Sequence, residues 1–148
     1  MSSEQSWTIR PVNVRDVEII AKHRYSTVVV AEIDIKNYAE WVATAITNQD
    51  YLGLVAESGG EIIAGAGVTI LDWGPTLRTA SSLRGRVVNV FTASVWRRKG
   101  IASQMLTQIF AEARRRGVAS FCLGATEEGR ALYQSLGFID CEREMVLR

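Results

Sequence analysis

Three cations and a glycine stand together at Arg97, Arg98, Lys99 and Gly100, between an apolar stretch, Val87 to Thr92, and an amphipathic one that starts at Ile101. The chemistry offered by this pattern is anion binding. The first turn of a helix leaves backbone N–H groups without intrahelical partners and carries partial positive charge. A glycine at its start lets a ligand approach the backbone closely. The run is not a P-loop, because the spacing and the Lys-Ser/Thr pair are missing, and it is not a dinucleotide fingerprint, which needs three glycines. Taken alone, it also fits a strand-to-helix turn with a solvated basic edge. A second feature is Tyr133 in Leu132-Tyr133-Gln134-Ser135-Leu136-Gly137-Phe138, a phenol on a short helix that turns at Gly137. A lone tyrosine there reads as a core aromatic.

Other reactive side chains are few. Cys122 and Cys141 are too few for a disulfide framework and lack metal-ligand spacing, so they read as reduced, buried thiols, and no metal is expected. His23, the sole histidine, falls on the polar face of its helix and reads as a surface residue, although histidine is the usual general base. Asn89 points from a central strand, either toward a ligand or as a satisfied polar group. A second basic cluster, Arg114 to Arg116, sits at a helix C-terminus, where cations complement the dipole.

The elements that position these residues follow from periodicity. Trp7 to Arg10 alternates and reads as a strand ended by Pro11. Val14, Val17, Ile19, Ile20 and Ala21 form a helical stripe. Thr27 to Ala31 is a β-branched run without a clear place. Asp34 or Asn37 caps a second helix with Tyr38, Trp41, Val42, Ala45 and Ile46 on one face. Tyr51 to Glu57 and Glu61 to Leu71 make a hairpin about Ser58-Gly59-Gly60, with Gly65 and Gly67 marking a bulge or a close contact. Asp72 to Gly85 is a long loop, and Arg86 to Thr92 resumes as a strand. The helix from Ile101 to about Arg116 buries Ile101, Met105, Leu106, Ile109, Phe110 and Ala113 and ends at Gly117. Val118 to Ala125 reads as an interior strand, Glu128 to Leu136 as a short helix and Phe138 to Leu147 as a final strand. Met1 to Gln5 reads as a loose tail. The order is β-α-α-β-β-β-α-β-α-β, an α/β fold with a central, mixed, mostly antiparallel sheet, a parallel pair at Arg86 and Val118, and helices on both faces.

The 148 residues are expected to form one domain, 1–148. Net charge is +1, which gives no electrostatic case for nucleic acid or an acidic membrane surface. No apolar run approaches the ~20 residues that cross a bilayer. The opening MSSEQSWTIR lacks the apolar core of a signal peptide, so a cytoplasmic protein is expected.

Asn89-Val90-Phe91-Thr92 followed by Trp96-Arg97-Arg98-Lys99-Gly100-Ile101-Ala102 resembles the pyrophosphate motif, Arg/Gln-x-x-Gly-x-Gly/Ala, of the GCN5-related N-acetyltransferase (GNAT) superfamily. Ala125 to Arg130 leading into Leu132-Tyr133 and Leu136-Gly137-Phe138 is similar to that superfamily's C-terminal motif, and Trp7-Thr8-Ile9-Arg10-Pro11 is similar to its opening strand. The resemblance covers nearly the whole chain. It implies that Val90, Phe91 and Thr92 present backbone groups to the pantetheine arm of acetyl-CoA, in a gap where this strand splays from Val118 to Ala125. It implies that Arg97 to Ser103, including Lys99, Gly100, Ile101 and Ala102, wrap the pyrophosphate through backbone N–H groups, and that Thr126 contacts the cofactor. Ala102 replaces the second glycine of many members, and Ser94 replaces their proline.

The resemblance implies that Tyr133 is the general acid. An amine attacks the thioester, and a phenol near the sulfur donates a proton as charge develops. The oxyanion is met by a backbone N–H near Val90. Glu32, Asp34, Glu57 and Asp72 are all open as the general base. The expected activity is transfer of an acetyl group from acetyl-CoA to a primary amine, on a small molecule or a peptide. In this family the acceptor lies against the first two helices, where Glu32 and Asp34 suit a cationic amine. Many members form homodimers, but no interface stripe marks one here. The rival reading is a non-catalytic acyl-CoA-binding module of the same fold, and Tyr133 separates the two.

Overall fold

The structure, a computed structural model, describes residues 6–148; the tail expected at Met1 to Gln5 lies outside them. One five-stranded sheet runs in the order β1-β2-β3-β4-β5, built from β1 (Thr8–Pro11), β2 (Tyr51–Ser58), β3 (Glu61–Asp72), β4 (Leu83–Thr92) and β5 (Ser120–Cys122). The first four strands are antiparallel neighbours, and β4 and β5 are parallel. The helices are α1 (Val17–Arg24), α2 (Glu32–Thr47), α3 (Ile101–Arg115) and α4 (Glu127–Ser135).

The two faces of the sheet have separate cores. On one, Ile20 of α1 and Val42 and Ala45 of α2 bury Tyr51, with Val12, Val17 and Val88 around them. On the other, Ile101, Met105, Leu106, Ile109 and Phe110 of α3 pack against Ala64, Ala66, Val68 and Val87. The six apolar positions read as the α3 stripe are the six buried residues of that helix. Their successive spacings of four, one, three, one and three residues place all six on one side of a 3.6-residue turn. Gly117 (φ 94°) follows the helix, in the left-handed conformation that suits a glycine at this position.

Several sequence expectations need correction. Trp7 lies before β1 and packs edge-on against Trp96 at 6.3 Å. A short 3-10 turn, Val14–Asp16, precedes α1. Neither Asp34 nor Asn37 is the N-cap of α2. The helix starts at Glu32, and the Asp34 carboxylate reaches back to accept the Ala31 N–H at 3.0 Å, so it acts from inside the first turn. The run at Thr27 to Ala31 is the loop between the first two helices, with Val28 and Val29 exposed. Strand β4 starts three residues earlier than expected, at Leu83.

The strand expected over Val118 to Ala125 is interior neither in place nor in burial. It shortens to Ser120–Cys122 at the sheet edge, because pairing with β4 ends at Arg86↔Cys122. The final strand expected over Phe138 to Leu147 does not form. Phe138 packs on Phe110 and Tyr133, but every residue from Ile139 onward is exposed and no ladder partner is offered to it. Alternation fixes a strand's face only when a neighbour supplies the hydrogen bonds. Cys122 is half-buried and Cys141 exposed, so the expectation of two buried thiols fails. No helix among the described residues is long and apolar enough to cross a membrane.

Candidate active site

The site is organised by a fault in β4. Across the β3–β4 ladder Gly65 pairs with Phe91 and Gly67 with Val88, so Asn89 and Val90 together face the single residue Ala66. This is a β-bulge, and Asn89 takes φ 59° to make it. Asparagine tolerates the left-handed region better than the β-branched residues around it. On the other side β5 pairs only with Arg84, Gly85 and Arg86, so β4 runs on from Val87 to Thr92 without it. The two strands are parallel where they pair and then part. Val90 therefore has no register partner on β3 or on β5. Beyond Arg86 the outer edge of β4 therefore has no neighbouring strand to bond to, so its backbone groups there are open to another partner. That is the property needed to hold the amide-bearing arm of a cofactor, and the residues present fit such a group.

The cationic turn follows. A 3-10 turn, Ser94–Trp96, leads from β4 to Gly100, which stands at the N-cap of α3 with φ 81°. A Cβ built there meets nothing within 4 Å, so the space above the helix start is open. The first intrahelical bond is Gln104 N–H to Gly100 O at 3.0 Å, which puts the N–H groups of Ile101, Ala102 and Ser103 in the unpaired first turn. The Ile101 side chain is buried in the core, so only its backbone faces outward. Arg97 turns back, and its Nε donates to the Thr92 carbonyl at 3.1 Å, closing the turn onto β4. Arg98 is exposed and held at φ 64°. Lys99 is half-buried on the same turn.

Tyr133 lies on α4, half-buried, with its ring edge-on to Phe138 at 5.9 Å. Burial pushes its phenol above the ordinary tyrosine value, so it stays protonated at neutral pH. Among the described residues none hydrogen-bonds its hydroxyl. Thr126 is the N-cap of α4, and its Oγ1 accepts the Gly129 N–H at 3.1 Å. Its hydroxyl is therefore already engaged in a structural task at the helix start, where the same N–H also reaches the Thr126 carbonyl at 3.2 Å.

The opposite face of the bulge carries what the sequence reading missed. Asn89 Nδ2 donates to Tyr38 Oη at 2.9 Å and to Tyr51 Oη at 3.0 Å. Burial pushes the Tyr51 phenol up, against a smaller opposing effect of the Asn89 bond. Asn89 is thus a satisfied polar group, and what it satisfies is a pair of phenols from α2 and β2. His23 is not a surface residue. It is buried, and its ring stacks on Phe91 at 4.3 Å between centroids and 15° between planes. Desolvation lowers its pKa to about 4, so it is neutral at physiological pH. The available signal was an asparagine in a β-rich run, since that residue is depleted from strands and enriched where φ is positive.

A bulged strand, a parallel pair that opens beside it and a helix N-terminus with an open approach are thus gathered at one end of the sheet. The family profile described as an acetyltransferase (GNAT) domain matches residues 49–140, and the chain belongs to that family. The structure is similar to that of a predicted acetyltransferase from Clostridium acetobutylicum solved with acetyl-CoA. The two are 26% identical over 97% of this chain and 96% of the other, with a TM-score of 0.88. It is also similar to a GCN5-related N-acetyltransferase from Ralstonia eutropha JMP134, at 26% identity, 97% and 98% coverage and a TM-score of 0.84. Glucosamine-6-phosphate N-acetyltransferase from Arabidopsis thaliana shares the fold at 17% identity, 97% and 99% coverage and a TM-score of 0.77. No curated protein sequence matches the chain.

Proposed function

We propose that residues 1–148 form one domain that acetylates a primary amine at the expense of acetyl-CoA, by direct attack and without a covalent enzyme intermediate. The observation that carries this reading is the β4 bulge at Asn89 and Val90, unpaired on the β5 side, with the open start of α3 farther along the chain. Backbone groups of Val90, Phe91 and Thr92 would hold the pantetheine arm. The first-turn N–H groups of Ile101, Ala102 and Ser103, with Arg98 and Lys99 beside them, would hold the pyrophosphate. When bound, acetyl-CoA supplies an activated acetyl thioester. Tyr133 holds its proton at neutral pH and gives it to the departing sulfur. The acetyl-CoA complex of the Clostridium relative supports the choice of acyl donor.

Thiol release from acetyl-CoA is the test, over a panel of primary amines, for the wild type and Tyr133→Phe. Turnover on at least one amine, with kcat reduced roughly 10²-fold or more in Tyr133→Phe, is expected. Cofactor binding without turnover on any amine, and with no effect of Tyr133→Phe, would establish the non-catalytic binding module instead. A melting temperature unmoved by either CoA or acetyl-CoA would overturn both, since a ligand that binds only the folded state must stabilise it.

A further inference from the structure

We infer that the acceptor amine carries an anionic oxygen group, carboxylate or phosphate, and that Arg24 receives it. The inference rests on the acetyl-transfer reading and specifies its second substrate. Arg24 is the last residue of α1, exposed, on the α1–α2 side of the β4 bulge. Its guanidinium lies over the Tyr38 ring at 4.5 Å and near the Tyr25 ring at 5.9 Å. Nη1 makes only long contacts, 3.4 Å to Tyr38 Oη and 3.5 Å to Asn89 Oδ1. Asn89 adjoins Val90, and the two form the β4 bulge, which β5 does not reach. The guanidinium therefore contacts the residue next to the one that would hold the cofactor arm.

This arginine has no counter-charge of its own. Among the described residues no carboxylate pairs with Arg24. The two acids of the neighbouring loop do not supply one: Asp34 accepts the Ala31 N–H, and Glu32 makes no ion pair among the described residues. A guanidinium presents five donors in a planar fork and cannot lose its charge. The Tyr38 and Tyr25 rings and Asn89 lie against the Arg24 fork, and among the described residues its Nε and Nη2 donors make no hydrogen bond. Rings of Tyr25, Tyr38 and Trp41 stand in contact, with Tyr25 edge-on to Tyr38 at 6.0 Å and Trp41 stacked on it at 5.6 Å. Tyr38, the ring nearest the guanidinium, is thereby itself packed between two aromatic neighbours. An oriented, uncompensated fork is built for a planar or tetrahedral oxyanion. A polycationic acceptor would be repelled by it, which reverses the preference suggested by Glu32 and Asp34 in the sequence.

The test compares matched pairs of amines: amino acids against their carboxamides, and phosphoethanolamine against ethanolamine. Binding to the CoA-loaded protein is measured by calorimetry, and acetylation by thiol release. The expected result is that at least one anionic member binds roughly 10- to 100-fold more tightly than its neutral partner. That preference should vanish in Arg24→Gln and return in part in Arg24→Lys, while the affinity for CoA is unchanged in both. Preference among the amino acids assigns the anion as carboxylate, and preference for phosphoethanolamine assigns it as phosphate. Neutral amines bound as well as anionic ones, or a preference that survives Arg24→Gln, would overturn the inference. Arg24-dependent binding of an anionic amine without any acetylation would leave the anion site standing and overturn the acetyl-transfer reading alone.

Discussion

Tyr51 occupies the space that a side chain on Gly67 would need. Its ring lies across the sheet from β2, over β3, and its hydroxyl reaches Asn89 on β4 at 3.0 Å. Gly53 and Gly67 are register partners. A Cβ on Gly53 would come within 2.7 Å of the Tyr51 ring, and one on Gly67 would overlap its hydroxyl and Cζ. The two glycines are therefore a trough for one aromatic ring, and the ring braces the bulge. Gly67→Ala should cost about 1–3 kcal/mol of unfolding free energy, as overpacking does. In a Tyr51→Leu background the cost should fall well below that, because the shorter side chain vacates the trough. Urea unfolding of the four-member cycle measures the coupling. Equal costs in both backgrounds would show that the ring and the glycine do not share this space.

The stack of His23 on Phe91 makes stability depend on pH. The folded-state pKa is about 4, against the ordinary 6.5 of the unfolded chain. Between those values the unfolded state binds the proton and the folded state does not, so stability is full above pH 6.5 and lost as pH falls toward 4. Integrating the two titrations puts the loss at about 2 kcal/mol by about pH 5. The ring is faced by Phe91 and by Gly65, neither of which carries a charge that compensates the imidazolium. In His23→Phe, unfolding free energy should vary by less than half as much across this window, whatever the substitution does to its absolute value. An unchanged slope would mean that the imidazole is protonated in the folded state without penalty.

The elements that the sequence made legible were those whose signal is local. The α3 stripe, the Gly59-Gly60 hairpin turn and the glycine before Ile101 are each set by residues within a few positions of one another, and all three stand where periodicity and turn chemistry place them. The position of the cationic turn before α3 was legible for the same reason. Elements that depend on a distant partner were not. His23 shows a polar helix face to any periodic reading, and its ring is covered by residues distant in the chain, Gly65 on β3 and Phe91 on β4, the latter 68 positions later. Residues 139–148 alternate as a strand does, yet β5 ends its pairing early and offers them no ladder. Asn89 was visible as a polar residue in a strand, but its two phenol partners come from α2 and β2.

Arg10 and Asp16 close the start of the chain onto the sheet. Asp16 is buried, and Arg10 grips it through two bonds of 2.8 and 2.9 Å while its Nε reaches Glu57 on β2 at 2.8 Å. The Arg10 bond holds the Asp16 carboxyl below the ordinary aspartate range, against the opposing effect of burial, and the Asn13 N–H adds to it. This contribution is present above the unfolded-state value of 3.8 and is lost as pH falls through the lower folded one. Asp16→Asn should cost about 2–4 kcal/mol, because it leaves a partly buried guanidinium short of its partner and removes the carboxylate that caps the preceding turn. Thermal unfolding at neutral pH reads the cost. The acid limb of the stability profile should be shallower in the variant, and a variant as stable as the wild type would show that Glu57 alone anchors Arg10.

Gly100 separates the cost of backbone strain from the cost to binding. Its φ of 81° penalises any side chain, yet a Cβ there meets no protein atom within 4 Å. Gly100→Ala should therefore lose about 1–2 kcal/mol of stability through backbone strain alone. Gly100→Asn should lose less, because asparagine tolerates this conformation. Gly100→Asp shares that tolerance and adds a negative charge at the N-terminus of α3, where the helix dipole welcomes it in the free protein. Its stability should match that of Gly100→Asn or exceed it. Its affinity for CoA should fall by roughly 10²-fold or more, since the carboxylate then occupies and repels the position of the pyrophosphate. Calorimetric titration of CoA into both variants isolates the charge from the bulk. Equal affinities for the asparagine and aspartate variants would remove the pyrophosphate from this turn and leave the splay of β4 from β5 as the sole support for cofactor binding.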